Sequence, residues 1–247
     1  MDLRNTFNRE RVTTSLLRLE SLWSVAFLVF GAFSTQAATV DQTCADLLQT
    51  GKHAIDLDTC RPSPIGTDEK SIVLKSLPTN GEVTQLTQSE RGKLRDLSAV
   101  LRVHQRDGVY ETKVISVPQA WTGLHGRAAL LISLPVLWLL ESEELQALVA
   151  HEIGHEYLWQ EFAAAQRLKN RERLRELELA CDAIAVLTLE RVGVKPDRLI
   201  LGLEKTSWFN RQRFGWATNE SSYPSLSARR NLVKAMSSAN RELGYPR

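Results

Sequence analysis

The segment His151-Glu152-Ile153-Gly154-His155 constrains this chain more than any other part of it. Two imidazoles four residues apart share a face only on a helix, where that spacing is one turn. From one face both can reach a single metal ion. Glu152, three residues before His155, lies on nearly the same side, so its carboxylate can stand beside the ion without ligating it, where a general base belongs. A catalytic zinc normally takes three protein ligands and keeps a fourth position for water. The fold must therefore bring a further ligand to this helix from another element.

The downstream stretch offers Glu178 and Asp182, also four apart, inside an apolar stripe formed by Leu174, Leu177, Cys181, Ala185 and Thr188. Carboxylates in a buried stripe are costly unless paired or metal-bound. If this second helix runs antiparallel to the first, Glu178 completes a His, His, Glu ligand set. Asp182, one turn further, then faces an imidazole whose second N–H needs an acceptor to fix its tautomer. The sequence leaves open which histidine that is. The competing arrangement for Glu178 is a buried ion pair with a neighbouring arginine. Cys181 reads as a small buried core thiol, with thiolate ligation as the alternative. His53, His104 and His125 have no partner at ligand spacing and read as ordinary surface or core histidines. Trp138 and Trp159 read as core residues.

Around these motifs the pattern predicts an irregular arm over residues 39–80, rich in turn residues, with one strand-like piece at residues 71–77. A helix is expected over residues 89–104, ended by Asp107-Gly108. Strands are expected at 109–117 and 127–134, joined by a Gly-rich connection into a small antiparallel sheet. Ser142 is the expected N-cap of the motif helix, with Glu143 and Glu144 in its first turn, and that helix is expected to run to about residue 166. A second helix is expected over 171–191, ending at Gly193, with further helical pieces at 199–210 and 227–242 around a loop at 214–225.

With 247 residues and 43% hydrophobic content the chain can bury a core, and one domain over residues 39–247 is the simplest organisation. Thirty-one basic against 29 acidic residues leave a net charge of +2, scattered along helices, which argues against a nucleic-acid partner. Residues 1–38 differ: arginines at 4, 9, 11 and 18 precede an apolar run over 22–33 and then Ser34-Thr35-Gln36-Ala37-Ala38. That order is expected of a secretory signal peptide, with a retained N-terminal anchor as the alternative, and no cysteine follows in a lipoprotein pattern. The expected location is exported, periplasmic or secreted, or else anchored by residues 22–38, and no integral membrane domain is expected after signal cleavage. In an oxidising compartment Cys44 and Cys60 are the expected disulfide pair, tying down the arm, which leaves Cys181 over.

The run Glu144-Leu145-Gln146-Ala147-Leu148-Val149-Ala150 leads into His151, and Glu178-Leu179-Ala180-Cys181-Asp182 comes later. Over residues 109–230 these motifs resemble the HtpX-like and CAAX prenyl protease family of zinc endopeptidases, peptidase family M forty-eight. That family shows Glu-Leu-x-x-Val-x-x-His-Glu-x-x-His after a strand and a short apolar helix, and then Glu-x-x-Ala-Asp, where cysteine here replaces alanine. The resemblance implies an α+β fold: a mainly helical zincin-like (gluzincin) domain with a small antiparallel sheet. It implies one Zn2+ per chain on His151, His155 and Glu178. The expected activity is a zinc-dependent metalloendopeptidase acting on exported or envelope proteins, with Glu152 as general base on zinc-bound water. The strand at 127–134 is expected to pair with an extended protein or peptide substrate. The family often shows His-Pro followed by an arginine. Tyr223-Pro224-Ser225-Leu226-Ser227-Ala228-Arg229 is similar, with tyrosine for histidine, which suggests Tyr223 as a hydrogen-bond donor to the oxyanion, or else as a loop residue packed beside proline. The alternative function is a non-catalytic zinc-binding protein acting as a chaperone or binding module for envelope proteins.

Overall fold

Among the residues described by the computed structural model, 57–77, 81–215 and 223–242, the chain runs α1 (Thr67–Ser76), α2 (Gln88–Val103), β1 (Glu111–Ile115), β2 (Thr122–His125), β3 (Ala129–Ser133), α3 (Leu134–Leu139), α4 (Ser142–Tyr157), α5 (Trp159–Arg167), α6 (Arg171–Arg191), α7 (Asp197–Phe214) and α8 (Leu226–Glu242). The architecture is mixed α+β, mostly helical, with one small sheet, as the sequence suggested.

The sheet is not antiparallel throughout. Its order is β1-β3-β2, with β1 parallel and β2 antiparallel to β3. The stretch read as a Gly-rich connection contains β2, which escaped notice because Thr122-Gly123-Leu124-His125 has neither β-branched density nor clean alternation. Strand β2 turns into β3 through Gly126 and Arg127, both at positive φ (55° and 56°), which matches the tight hairpin turn whose twist suits flanking strands. All five residues of β3 are buried, as befits a strand paired on both edges.

Residues 71–77 form no strand; 71–76 belong to α1 and Leu77 is its C-cap. Asp68 and Glu69 sit in its first turn and Lys75 in its last, charges that complement the helix dipole and outweigh the strand-like Ile72-Val73 pair. Its inner face seats Val73 against Gly126, where an added Cβ would come within 2.5 Å of a valine methyl carbon.

Helix α2 opens with a capping box, Thr87 accepting from the Glu90 amide while Glu90 accepts from Thr87. Helix α4 does the same with Glu141 and Glu144, so Glu141 is the cap and Ser142 the first helical residue. The single helix expected to reach about residue 166 breaks at Leu158 (φ −116°, ψ 22°), and α5 follows in a new direction.

Helix α4 is buried nearly all round, the mark of a helix through the middle of a core. It packs against α6, α7, α2 and β2. Behind it, the Glu156 carboxylate accepts from Arg106 (Nε, 2.7 Å; Nη2, 3.1 Å), from Arg127 and from the Tyr110 hydroxyl. Arg106 and Arg127 also donate to the carbonyls of Pro62 and Ser63, so a buried ion cluster ties the arm to the motif helix. Within that arm Cys60 is buried and disulfide-bonded. Its expected partner Cys44, residues 1–38 and His53 lie outside the described residues.

Trp138 does not join the core. The short helix α3 buries Pro135, Val136 and Leu137 and turns Trp138 outward, 65% exposed, with its indole N–H donating to Glu90 at 2.8 Å. Among the described residues no helix is long and apolar enough to cross a membrane.

Candidate metal centre

Glycine at position 154 decides how closely the two motif helices meet. A Cβ there would lie 2.8 Å from Cys181 Cα and 2.9 Å from its Cβ, so α4 and α6 touch backbone to backbone at this crossing. Glu178 and Asp182 flank Cys181 within one turn on α6, and the crossing carries both towards the histidine face of α4.

The outcome is the expected triad. His151, His155 and Glu178 each turn a ligand atom into a common space, all within 4.8 Å of one another, and this group could hold a metal ion. His151 Nε2 is 3.4 Å from Glu178 Oε2, and His155 Nε2 is 3.9 Å from Oε1. Donors about 2.1 Å from a tetrahedral ion stand about 3.4 Å apart, so the spacing fits a small divalent ion after sub-ångström adjustment. The two imidazoles meet edge to face, centroids 5.1 Å apart, and Phe162 of α5 packs on His155 at 4.6 Å. Phe162 belongs to α5, which starts just past the break at Leu158.

The question of which histidine Asp182 holds resolves to His151, whose Nδ1 lies 2.8 Å from Asp182 Oδ1. The Nδ1 proton is thus held by Asp182, and Nε2, which faces Glu178, is the nitrogen that would give up its proton to a metal. The competing ion pair is present as well: Arg229 of α8, buried itself, donates from Nη1 to Asp182 at 2.7 Å and from Nη2 to Glu178 Oε2 at 3.0 Å. A carboxylate has enough lone pairs to accept from a guanidinium and still bind a metal, so the two arrangements coexist.

These neighbours set the charge states. Burial alone would neutralise both partners, yet the hydrogen bonds and charges of Asp182 and Glu178 lift His151 to about 10. Glu178 is desolvated too, but His151, His155 and Arg229 hold it down at about 2. Burial depresses His155 to about 4 and so keeps it neutral, as a ligand must be.

Glu152 stands beside the triad and outside it. The Thr122 hydroxyl donates to its Oε1 at 3.0 Å, and the nearby Leu124 amide favours the charged carboxylate, so β2 aims the side chain. Burial pushes its carboxyl up to about 7, with the negative charge of Glu178 adding to the rise against the pull of His151.

Cys181 is free and fully buried, and its thiol is pushed well above its usual range, first by burial and then by the surrounding carboxylates. It packs against Gly154 as a core thiol. Tyr223 is half exposed, and its hydroxyl is raised to about 12 by desolvation and by the charges of Glu178 and Glu152. His104 and His125 stand apart from the triad, His104 fully buried between Tyr157 and Thr188. Sequence reasoning gave no role to Thr122 or Leu124; it matched Arg229 to the family's arginine and allowed Glu178 an arginine partner, without joining the two. A buried Glu178 and Asp182 pair demands a cation, which was the available signal for Arg229; β2 had to be recognised before its two donors could be.

No protein-family model matches the chain, and no curated protein is significantly similar to it.

Proposed function

We propose that this protein is a zinc-dependent metalloendopeptidase that hydrolyses peptide bonds of exported or envelope proteins. One observation carries the reading: two imidazoles and a carboxylate converge within 4.8 Å, while a second, half-buried carboxylate is held beside them by a strand edge. A donor set of two histidines and one glutamate is that of zinc hydrolases with an open coordination position, whereas structural zinc sites favour closed, thiolate-rich sets. The ion, when bound, supplies Lewis acidity to the scissile carbonyl and brings the pKa of a water near 7.

The chain's own residues do the rest. Glu152, poised near neutrality by burial, takes a proton from the attacking water and passes it to the leaving amine. Thr122 holds that carboxylate in line. The phenol of Tyr223, kept protonated, stands as donor to the oxyanion.

An extended substrate cannot pair with β3, as the sequence suggested, because both edges of β3 are already filled. The outer edge of β2, next to Glu152, takes that role and selects flexible or unfolded chains by backbone hydrogen bonds. Export is the part of the reading that residues 1–38 support.

The test compares wild type with Glu152→Gln, measuring bound zinc and cleavage of an unfolded protein. Zinc retained with cleavage reduced at least about a hundredfold is the expected result. Undiminished cleavage by the variant would rule out the assigned base. Zinc bound with no cleavage by either protein would favour the non-catalytic zinc-binding chaperone or binding module.

A further inference from the structure

The backbone around β2 alternates in a way that divides its hydrogen-bonding groups between two sides. Trp121 faces β3: its N–H donates to Ser133 Oγ at 2.8 Å and its carbonyl accepts from Ser133 N–H at 2.9 Å. The carbonyl of His125 closes the hairpin on the same side, accepting from Ala128 N–H at 3.0 Å. Alternation then turns the amides and carbonyls of Ala120, Thr122 and Leu124 to the opposite side. The strand meets Glu152 through Thr122, and the outward Leu124 amide is close enough to that carboxylate to favour its charged form.

This outward row is closed at one end by a side chain. Asn210 of α7 accepts from Ala120 N–H through Oδ1 at 2.9 Å and donates from Nδ2 to the Ala120 carbonyl, also at 2.9 Å. A carboxamide carries the donor and acceptor of a peptide unit side by side. Asn210 therefore occupies the place that a backbone residue of an added strand would take. Asn210 is held in turn by α7, whose Gly202 lies against Leu148 of α4, so the plug is anchored to the motif helix and not to a free loop.

We propose that Asn210 is a specificity-determining residue, a backbone mimic that ends the substrate-pairing edge at Ala120. The inference rests on the peptidase reading and adds a limit to it. Ala120 lies two residues, or about 7 Å, from Thr122 along the strand. A peptide paired beside Glu152 runs out of edge about two residues away on that side and must end or turn off there. On the other side of the scissile bond the same limit does not apply.

Quenched fluorescent peptides test this with the zinc-loaded full chain. A short cleavable peptide is lengthened one residue at a time, up to four, at either end, and kcat/KM is read for each. In wild type the gain from lengthening stops after about two residues at one end only. In Asn210→Ala the Ala120 groups are open, and the long-to-short ratio of kcat/KM at that end rises about tenfold, the scale of one to two regained hydrogen bonds. Asn210→Asp keeps the bond from Ala120 N–H but sets an acceptor against the Ala120 carbonyl, so its ratio lies between those of wild type and Asn210→Ala. A loosened loop would lower kcat/KM for short and long peptides together and leave the ratio alone, and an unchanged ratio in Asn210→Ala overturns the proposal. Failure of wild type and variant to cleave any peptide overturns the peptidase reading, and this inference with it.

Discussion

A histidine that ligates a metal must present one ring nitrogen without its proton, and Asp182, by holding the Nδ1 proton of His151, would reserve Nε2 for that role. The aspartate is wholly buried, and a single oxygen, Oδ1, serves both His151 Nδ1 and Arg229 Nη1. Asp182→Asn keeps the shape but loses the charge that orients the ring and holds the guanidinium. Metal affinity should fall about 10- to 100-fold, read by competition with a chelator of known affinity. Equal affinity in the two proteins would remove Asp182 from the account. His104 illustrates the opposite use of an imidazole. The Thr188 hydroxyl donates to the Ile184 carbonyl at 2.7 Å, so its oxygen accepts from His104 Nε2–H, and the Tyr157 hydroxyl donates to Nδ1. Burial first, and then the charges of Arg106, Arg61 and Arg191, lower this pKa from 6.5 to about 3. The unfolded chain binds a proton there that the folded chain refuses. The contribution of His104 is therefore complete above pH 6.5 and declines by about 1.4 kcal/mol per unit as pH falls towards 3. Urea midpoints of wild type and His104→Gln at pH 5 and pH 7 check this: the variant should lose less stability on acidification. Parallel losses would contradict the assignment.

At the scale of elements, the crossing of α4 and α6 carries the most weight. Gly154 lets the two backbones touch at Cys181, and no larger residue fits without separating the helices. Gly154→Ala should cost about 1–3 kcal/mol in urea unfolding, despite the better helix propensity of alanine, and should lower zinc content as Glu178 is drawn away from the histidines. A stabilised variant with full zinc would show that the crossing is looser than the geometry implies. Elements with strong local signals were legible in the sequence. Helix α6 begins at Asn170, whose side chain accepts from the Arg173 amide, and runs over the expected span; α2 falls within one residue of its expected start and end. The triad was legible because ligand spacing and a buried carboxylate are local patterns. Elements fixed by tertiary contacts were not. Strand β2 exists because β3 needs a second partner and Glu152 a support, and α1 overrides its apolar run by docking Val73 on Gly126. Arg229 was matched to a family motif, but its pairing with carboxylates 47 and 51 residues upstream is a tertiary contact that no local pattern reveals.

Across the described residues, the candidate metal centre lies between the two central helices, not on a peripheral loop. The two ligand-bearing helices are central; α8 reaches them through Arg229, β2 through Thr122, and α5 through Phe162. On the far side of α4, Glu156 draws Arg106, Arg127 and the arm around Cys60 into the same body. An ion at the centre would thus be linked to the stability of the fold, since ligands on α4 and α6 form a preassembled site only when both helices are docked. X-ray absorption at the zinc edge, with metal content measured on the same samples, is the most direct test. The account predicts one zinc per chain with two imidazole nitrogens about 2.0–2.1 Å away and otherwise oxygen ligands, retained in Glu152→Gln and lost on replacing His151, His155 or Glu178 with alanine. A sulfur ligand at about 2.3 Å, or an unaltered zinc environment in Glu178→Ala, would contradict it.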